Sequence, residues 1–197
     1  MVAALLALAE GDKQAFLTTD LDWFLKVTYN LGVDNLESWS QPLLVRIFEC
    51  CLVFAQSYSA RGSPDLAESV SVTAMRCHFI LAATKHELSK PYDDNERLQI
   101  MHRQVLHHVD SYTSTLSGLG ARTPRPVYDD MLAKAAPLLV FAFDACVYLQ
   151  VWDDLDRRIR QAAICRNEQV FKAMGDCLLR SQAPVDGTIT DGLLHAD

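Results

Sequence analysis

Apolar residues recur every three or four positions along nearly the whole chain, and the period-two runs that would mark strands are missing. The pattern predicts a first full helix starting near Thr19 as N-cap, with Asp20 and Asp22 in its first turn. The stretch from 20 to 39 reads as one helix. Pro42, after Ser40, starts a second helix with Leu44, Ile47, Phe48, Cys51, Ala55 and Tyr58 at helical spacing. Ser63-Pro64 opens a third, running to about Leu88, and Pro91 ends the connection behind it. Asp93 with Glu96 three residues later predicts a capping box for the fourth helix, whose apolar residues Leu98, Met101, Val105, Val109, Tyr112 and Leu116 mark a single face. Gly118 and Gly120 stop that helix. Pro126 restarts the chain after the loop "ARTPRPV", and a fifth helix reaches about Gln150, with a kink or break expected at Pro137. A short charged helix, "WDDLDRRIRQAAIC", holds the i,i+4 pairs Asp153–Arg157, Asp154–Arg158 and Asp156–Arg160. A last helix runs from about Asn167 to Arg180.

Two of these helices are apolar on nearly every side. The first full helix carries Leu21, Trp23, Phe24, Leu25, Val27, Tyr29, Leu31 and Val33, and the fifth is similar. Such helices are sandwiched between others, as in a helical-repeat stack. No strict repeat occurs at the roughly 34-residue tetratricopeptide period, and the pairs read as closer to about 45–60 residues. The expected fold is therefore all-α, with antiparallel helix pairs stacked as an irregular tetratricopeptide-like α-solenoid. It would occupy residues 1–185 as one helical-repeat domain, a piece of a longer solenoid or a short paralogue, followed by a weakly structured tail over 186–197.

Composition narrows the partners. Half of the 197 residues are hydrophobic, enough for a real core, and the formal net charge is −7. That charge argues against a nucleic-acid surface and against anionic membranes. The apolar run over 135–149 is short for a bilayer span and is interrupted by Pro137 and Asp144. "MVAALLALAEGDK" has no basic leader and reads as the last turns of a helix rather than a signal peptide. The six cysteines (50, 51, 77, 146, 165 and 177) form no CxxC pair and lie in apolar helical settings, which predicts buried, reduced thiols and a reducing compartment. "VAALLALA" at one end and "DGLLHAD" at the other lack a polar closing helix, so self-association through uncapped ends is expected.

Three stretches, over 21–33, 98–112 and 138–162 followed by 174–184, taken in order, carry a resemblance. Leu21-Asp22-Trp23 with Tyr29-Asn30-Leu31, Phe143-Asp144-Ala145 with Trp152-Asp153-Asp154-Leu155, and Asp176-Cys177-Leu178-Leu179 before Pro184 resemble the meiosis-specific tetratricopeptide scaffold family of fungi, plants and animals, the Spo-twenty-two or Zip-four type. Members of that family are several times longer than this chain. The resemblance covers most of residues 17–185. It implies a non-enzymatic, nuclear, chromosome-associated scaffold that holds together crossover and synaptonemal-complex proteins.

Candidate chemistry is sparse. The acidic clusters over 93–96, 128–130 and 153–156 lack the i,i+4 carboxylates of a diphosphate–magnesium site and sit at helix starts, where acids favour the dipole. No HExxH, GxSxG or zinc spacing occurs among the histidines and cysteines, so no catalytic, cofactor or metal residue is assigned. His107 and His108 read as solvated. Asp144, alone in an apolar run, reads as a buried structural acid needing a partner. Trp23, Tyr29 and Asn30 are open to two readings: a packed repeat helix, approached closely at Gly32, or a groove that captures a partner peptide. The expected function is a protein-interaction scaffold. The alternatives are a small all-α enzyme or a purely structural segment of a larger repeat protein.

Overall fold

The computed structural model describes residues 2–11, 16–60, 64–90, 94–119 and 123–181. Among these the chain is all-helical: eight α-helices, one short 3-10 turn and no strand. The helices are α1 (Val2–Glu10), α2 (Thr18–Asp34), α3 (Gln41–Ser59), α4 (Pro64–Ser89), α5 (Asn95–Gly118), α6 (Arg125–Leu149), α7 (Leu155–Ala163) and α8 (Glu168–Ser181), with the 3-10 turn at Trp152–Asp154. They gather into two compact units, Met1–Thr84 and Lys85–Asp197, and α4 passes from the first into the second. The expected tail over 186–197 lies outside the described residues.

In the first unit α2 packs on α3, and α1 also packs on α3. The buried residues of α2 are Leu21, Leu25, Thr28 and Gly32, spaced by 4, 3 and 4 so that they form one stripe. Gly32 is there for close approach. A Cβ at that position would lie 2.7 Å from Cζ of Phe48 and 3.1 Å from Cγ2 of Ile47, so the two helices meet where only glycine fits. The α2 helix stops earlier than the sequence pattern suggests. Asn35 takes the C-cap position and its side-chain amide donates to the carbonyl of Leu31 at 2.9 Å, leaving Trp39 in the following turn. At the other end the Asp20 carboxylate accepts the Leu17 backbone N–H at 3.1 Å, so the helix begins slightly before Thr19. The expectation that α2 is sandwiched on all sides is corrected. Thr19, Trp23, Lys26, Asn30 and Val33 form an exposed face, because Thr19, Lys26 and Asn30 make that side polar enough to stay in water.

In the second unit α6 is the central helix and packs against α5, α7 and α8. Its buried residues, from Met131 through Ala135, Leu139, Phe143 and Cys146, cover several faces, as its apolar composition requires. The helix is continuous through Pro137 rather than broken there. The missing N–H costs one bond, and the buried Ala136 and Leu138 on either side hold the turn in place. At 25 residues α6 is long and apolar enough to cross a membrane, and half of its most apolar window is buried inside this structure. The apolar stripe of α5 is the one expected, with Met101, Val105, Val109 and Tyr112 buried. The Tyr112 hydroxyl donates to the Met131 carbonyl at 2.6 Å, tying α5 to α6. The N-cap of α5 is Asp94, which accepts the N–H groups of Glu96 and Arg97; Asp93 lies outside the described residues.

Candidate functional site

Two surfaces carry the residues of interest, one in each unit. On α2 the structure brings two of the three partner-binding candidates together and separates the third. Trp23 is 58% exposed, with its ring edge-on to Phe24 at 5.2 Å, and Asn30 is exposed two turns further along the same face. Lys26 lies between them, paired with Asp22 at 2.6 Å. Leu17, Val33 and Leu36 extend the exposed apolar surface at both ends. Tyr29 turns inward instead. Its ring meets Phe48 edge-on at 6.2 Å, and burial raises the pKa of its hydroxyl against the opposing pull of Arg76.

In the second unit α4, α5, α6 and α8 wall a cleft of about 560 Å³. The last turn of α4 supplies His86, α5 supplies His102, α6 supplies Asp144, and α8 supplies Cys177 and Arg180. His86 stacks on Phe141 with ring centroids 4.3 Å apart, and His102 stacks on Tyr148 at 4.2 Å. These aromatic partners cover one face of each imidazole. Both Nδ1 atoms are buried without a hydrogen-bond partner. Burial lowers both histidine pKa values, with Asp144 opposing the shift in each case.

Asp144 is therefore not the buried acid expected from its apolar run. Its side chain is 32% exposed at the cleft wall, with Oδ2 3.8 Å from Nδ1 of His86. The reason is helical phase: α6 turns Asp144 toward the cleft while Phe143 and Ala145 face the core. The fully buried charge is elsewhere. Arg158, on the short charged helix and expected to pair with Asp154, has no exposed surface. Its guanidinium donates to both carboxylate oxygens of Asp110 at 2.5 and 3.2 Å, and lies 3.6 Å from Asp154. Arg157 pairs with Asp154 at 2.7 Å and with Asp110 at 3.3 Å, not with Asp153. The Asp156–Arg160 pair is formed as expected.

Sequence reasoning missed the histidines of the cleft. The signal was available for His102, which lies on the same stripe as Val105 and Val109 at i+3 and i+7. His108, read as solvated, is buried beside Val109, whereas His107 is exposed. Nothing in the pattern could bring His86 and Cys177 to Asp144, because three separate helices carry them.

The cleft does not resemble a nucleophilic site. The Cys177 thiol is pushed up to about 11, first by burial and then by Asp144, so it stays protonated at neutral pH. Among the described residues no group of His, Cys, Asp or Glu is arranged to hold a metal ion. The acidic clusters act at helix starts or in ion pairs: Asp94 caps α5, Asp129 and Asp130 pair with Arg125 and Lys134, and Asp154 pairs with Arg157. All six cysteines are free thiols, five of them buried and Cys165 half-buried. No family model, curated protein or solved structure matches the chain.

Proposed function

We propose that this chain is a non-enzymatic protein-interaction module that captures an α-helix of a partner protein on the outer face of α2, and that its helix pairs stack as an irregular tetratricopeptide-like solenoid. The observation that carries the reading is Trp23, a large aromatic side chain left 58% exposed on a regular helix. Aromatic residues in such settings anchor interfaces. The exposed positions 19, 23, 26, 30 and 33 repeat at 4, 3, 4 and 3, the spacing that a packed helix would engage. The family resemblance supplies the context: crossover and synaptonemal-complex proteins as partners, in the nucleus, with no direct contact to nucleic acid. The net charge of −7 supports that last point.

The test is a paired capture from meiotic cells with the chain and its Trp23→Ala, Asn30→Asp variant as baits. Crossover or synaptonemal-complex proteins should be retained by the first and lost from the second, with helix content unchanged because both residues are exposed. Equal capture by both baits would overturn the assignment to α2. Absence of such proteins from the wild-type capture would overturn the meiotic reading.

A further inference from the structure

The second-unit cleft holds an unusual set of polar groups for a surface depression. His102 and His86 are only 5% and 9% exposed, yet Nδ1 of each has no hydrogen-bond partner. A buried polar atom left unpaired has lost its hydrogen bond to water without replacement, so two at one cleft are a cost that a ligand can remove. The Asp144 carboxylate stands beside them, 3.8 Å from the His86 nitrogen. In their Nε2-protonated tautomers both imidazoles are acceptors at Nδ1; neither atom is open to solvent, so Asp144 is the acceptor a ligand meets at the surface and the two imidazoles add theirs only by turning outward. A primary ammonium has three N–H donors and one positive charge, which matches that set. The rim has the opposite character. Lys90, which also pairs with Glu87 at 2.6 Å, and Arg180, which donates to the Asp176 carbonyl at 3.2 Å, are exposed cations lining the same cleft. Leu98 and Val147 supply apolar wall. The volume of about 560 Å³ lies within the range of small-molecule sites.

We propose that this cleft binds a free α-amino acid with an apolar side chain. The ammonium meets Asp144 and the Nδ1 atoms of His86 and His102. The carboxylate points to Lys90 and Arg180, and the side chain rests on Leu98 and Val147. A simple organic anion fails at the acceptor-lined wall, and a simple amine leaves the cationic rim unmatched. The inference is independent of the α2 face, which belongs to the other unit.

The experiment uses the whole chain, with imidazole nitrogen NMR at neutral pH and three probes: L-leucine, L-leucinamide and 4-methylpentanoate. L-leucine should give saturable shifts at His86 and His102. Leucinamide lacks the carboxylate and mimics a peptide N-terminus, and 4-methylpentanoate lacks the ammonium. Each should bind on the order of tenfold more weakly, as expected for losing one charged hydrogen-bonded contact. Asp144→Asn should abolish the leucine response. Arg180→Gln should weaken leucine and leave leucinamide unchanged, and both substitutions fall on exposed or half-exposed side chains that the fold tolerates. No saturable shift with leucine at millimolar concentration would overturn the proposal. So would leucinamide binding as tightly as leucine, or an unchanged leucine response in Asp144→Asn.

Discussion

Removing the carboxylate of Asp110 should destabilise the second unit far more than removing the arginine it serves. Arg158 has no exposed surface, and it donates two hydrogen bonds to the Asp110 carboxylate, at 2.5 and 3.2 Å. In Asp110→Ala the guanidinium stays buried and retains Asp154, at 3.6 Å, as its one anionic partner, with a long contact of 3.5 Å to Gln161 Oε1. Breaking a buried pair from one side costs about 3–5 kcal/mol, and the remaining partner trims this to roughly 2–4 kcal/mol. Arg158→Met is different. It leaves Asp110 and Asp154, which are 42% and 33% exposed and can turn to water. Methionine also refills part of the volume, so the loss should be about 1–2 kcal/mol. The double variant should match Arg158→Met alone, which makes the coupling between the sites equal to the Asp110→Ala loss, on the order of 2–4 kcal/mol. Urea denaturation followed by Trp152 fluorescence, in a background with Trp23 and Trp39 replaced by Phe, reports this unit, because Trp152 opens the 3-10 turn before α7. An Asp110→Ala midpoint indistinguishable from the parent, or a larger loss in Arg158→Met than in Asp110→Ala, would refute the reasoning.

Two further outcomes follow from the same packing and electrostatics. Gly32→Ala should destabilise by roughly 1–2 kcal/mol in urea denaturation, because the new Cβ meets the fully buried Phe48 ring at 2.7 Å; helix propensity alone predicts a gain of about 1 kcal/mol, so a stabilised variant would reject the close-approach account. The second unit should lose stability as pH falls below about 6.5, the ordinary histidine value, since His86 and His102 have lowered pKa values in the fold and the unfolded chain takes up protons first. Their contribution is fully present above that pH and is lost as pH drops toward the folded values. His86→Phe with His102→Phe should flatten the profile below about pH 6.5 in thermal melts, and an unchanged slope would count against buried neutral imidazoles.

The sequence by itself determined that the chain is helical, where most helices lie, and which side of α5 is buried. Those features follow from local rules: 3.6-residue periodicity, proline at helix starts, short polar residues at caps. It also singled out Gly32 as a point of close approach, because a glycine inside an otherwise apolar helix has few other uses. Tertiary structure alone decided where the charges went. Asp144 looked buried because its neighbours in sequence are apolar, yet the packing of α6 opens its side to a cleft, while Arg158, placed by the sequence in an i,i+4 pair with Asp154, is itself fully buried and binds the part-exposed Asp110, 48 residues away. It also decided that the face carrying Tyr29 packs on Phe48, and that α2 keeps an exposed side. The physical reason is the same in each case. Periodicity says which residues share a face of one helix, but what that face meets depends on the packing of helices distant in sequence.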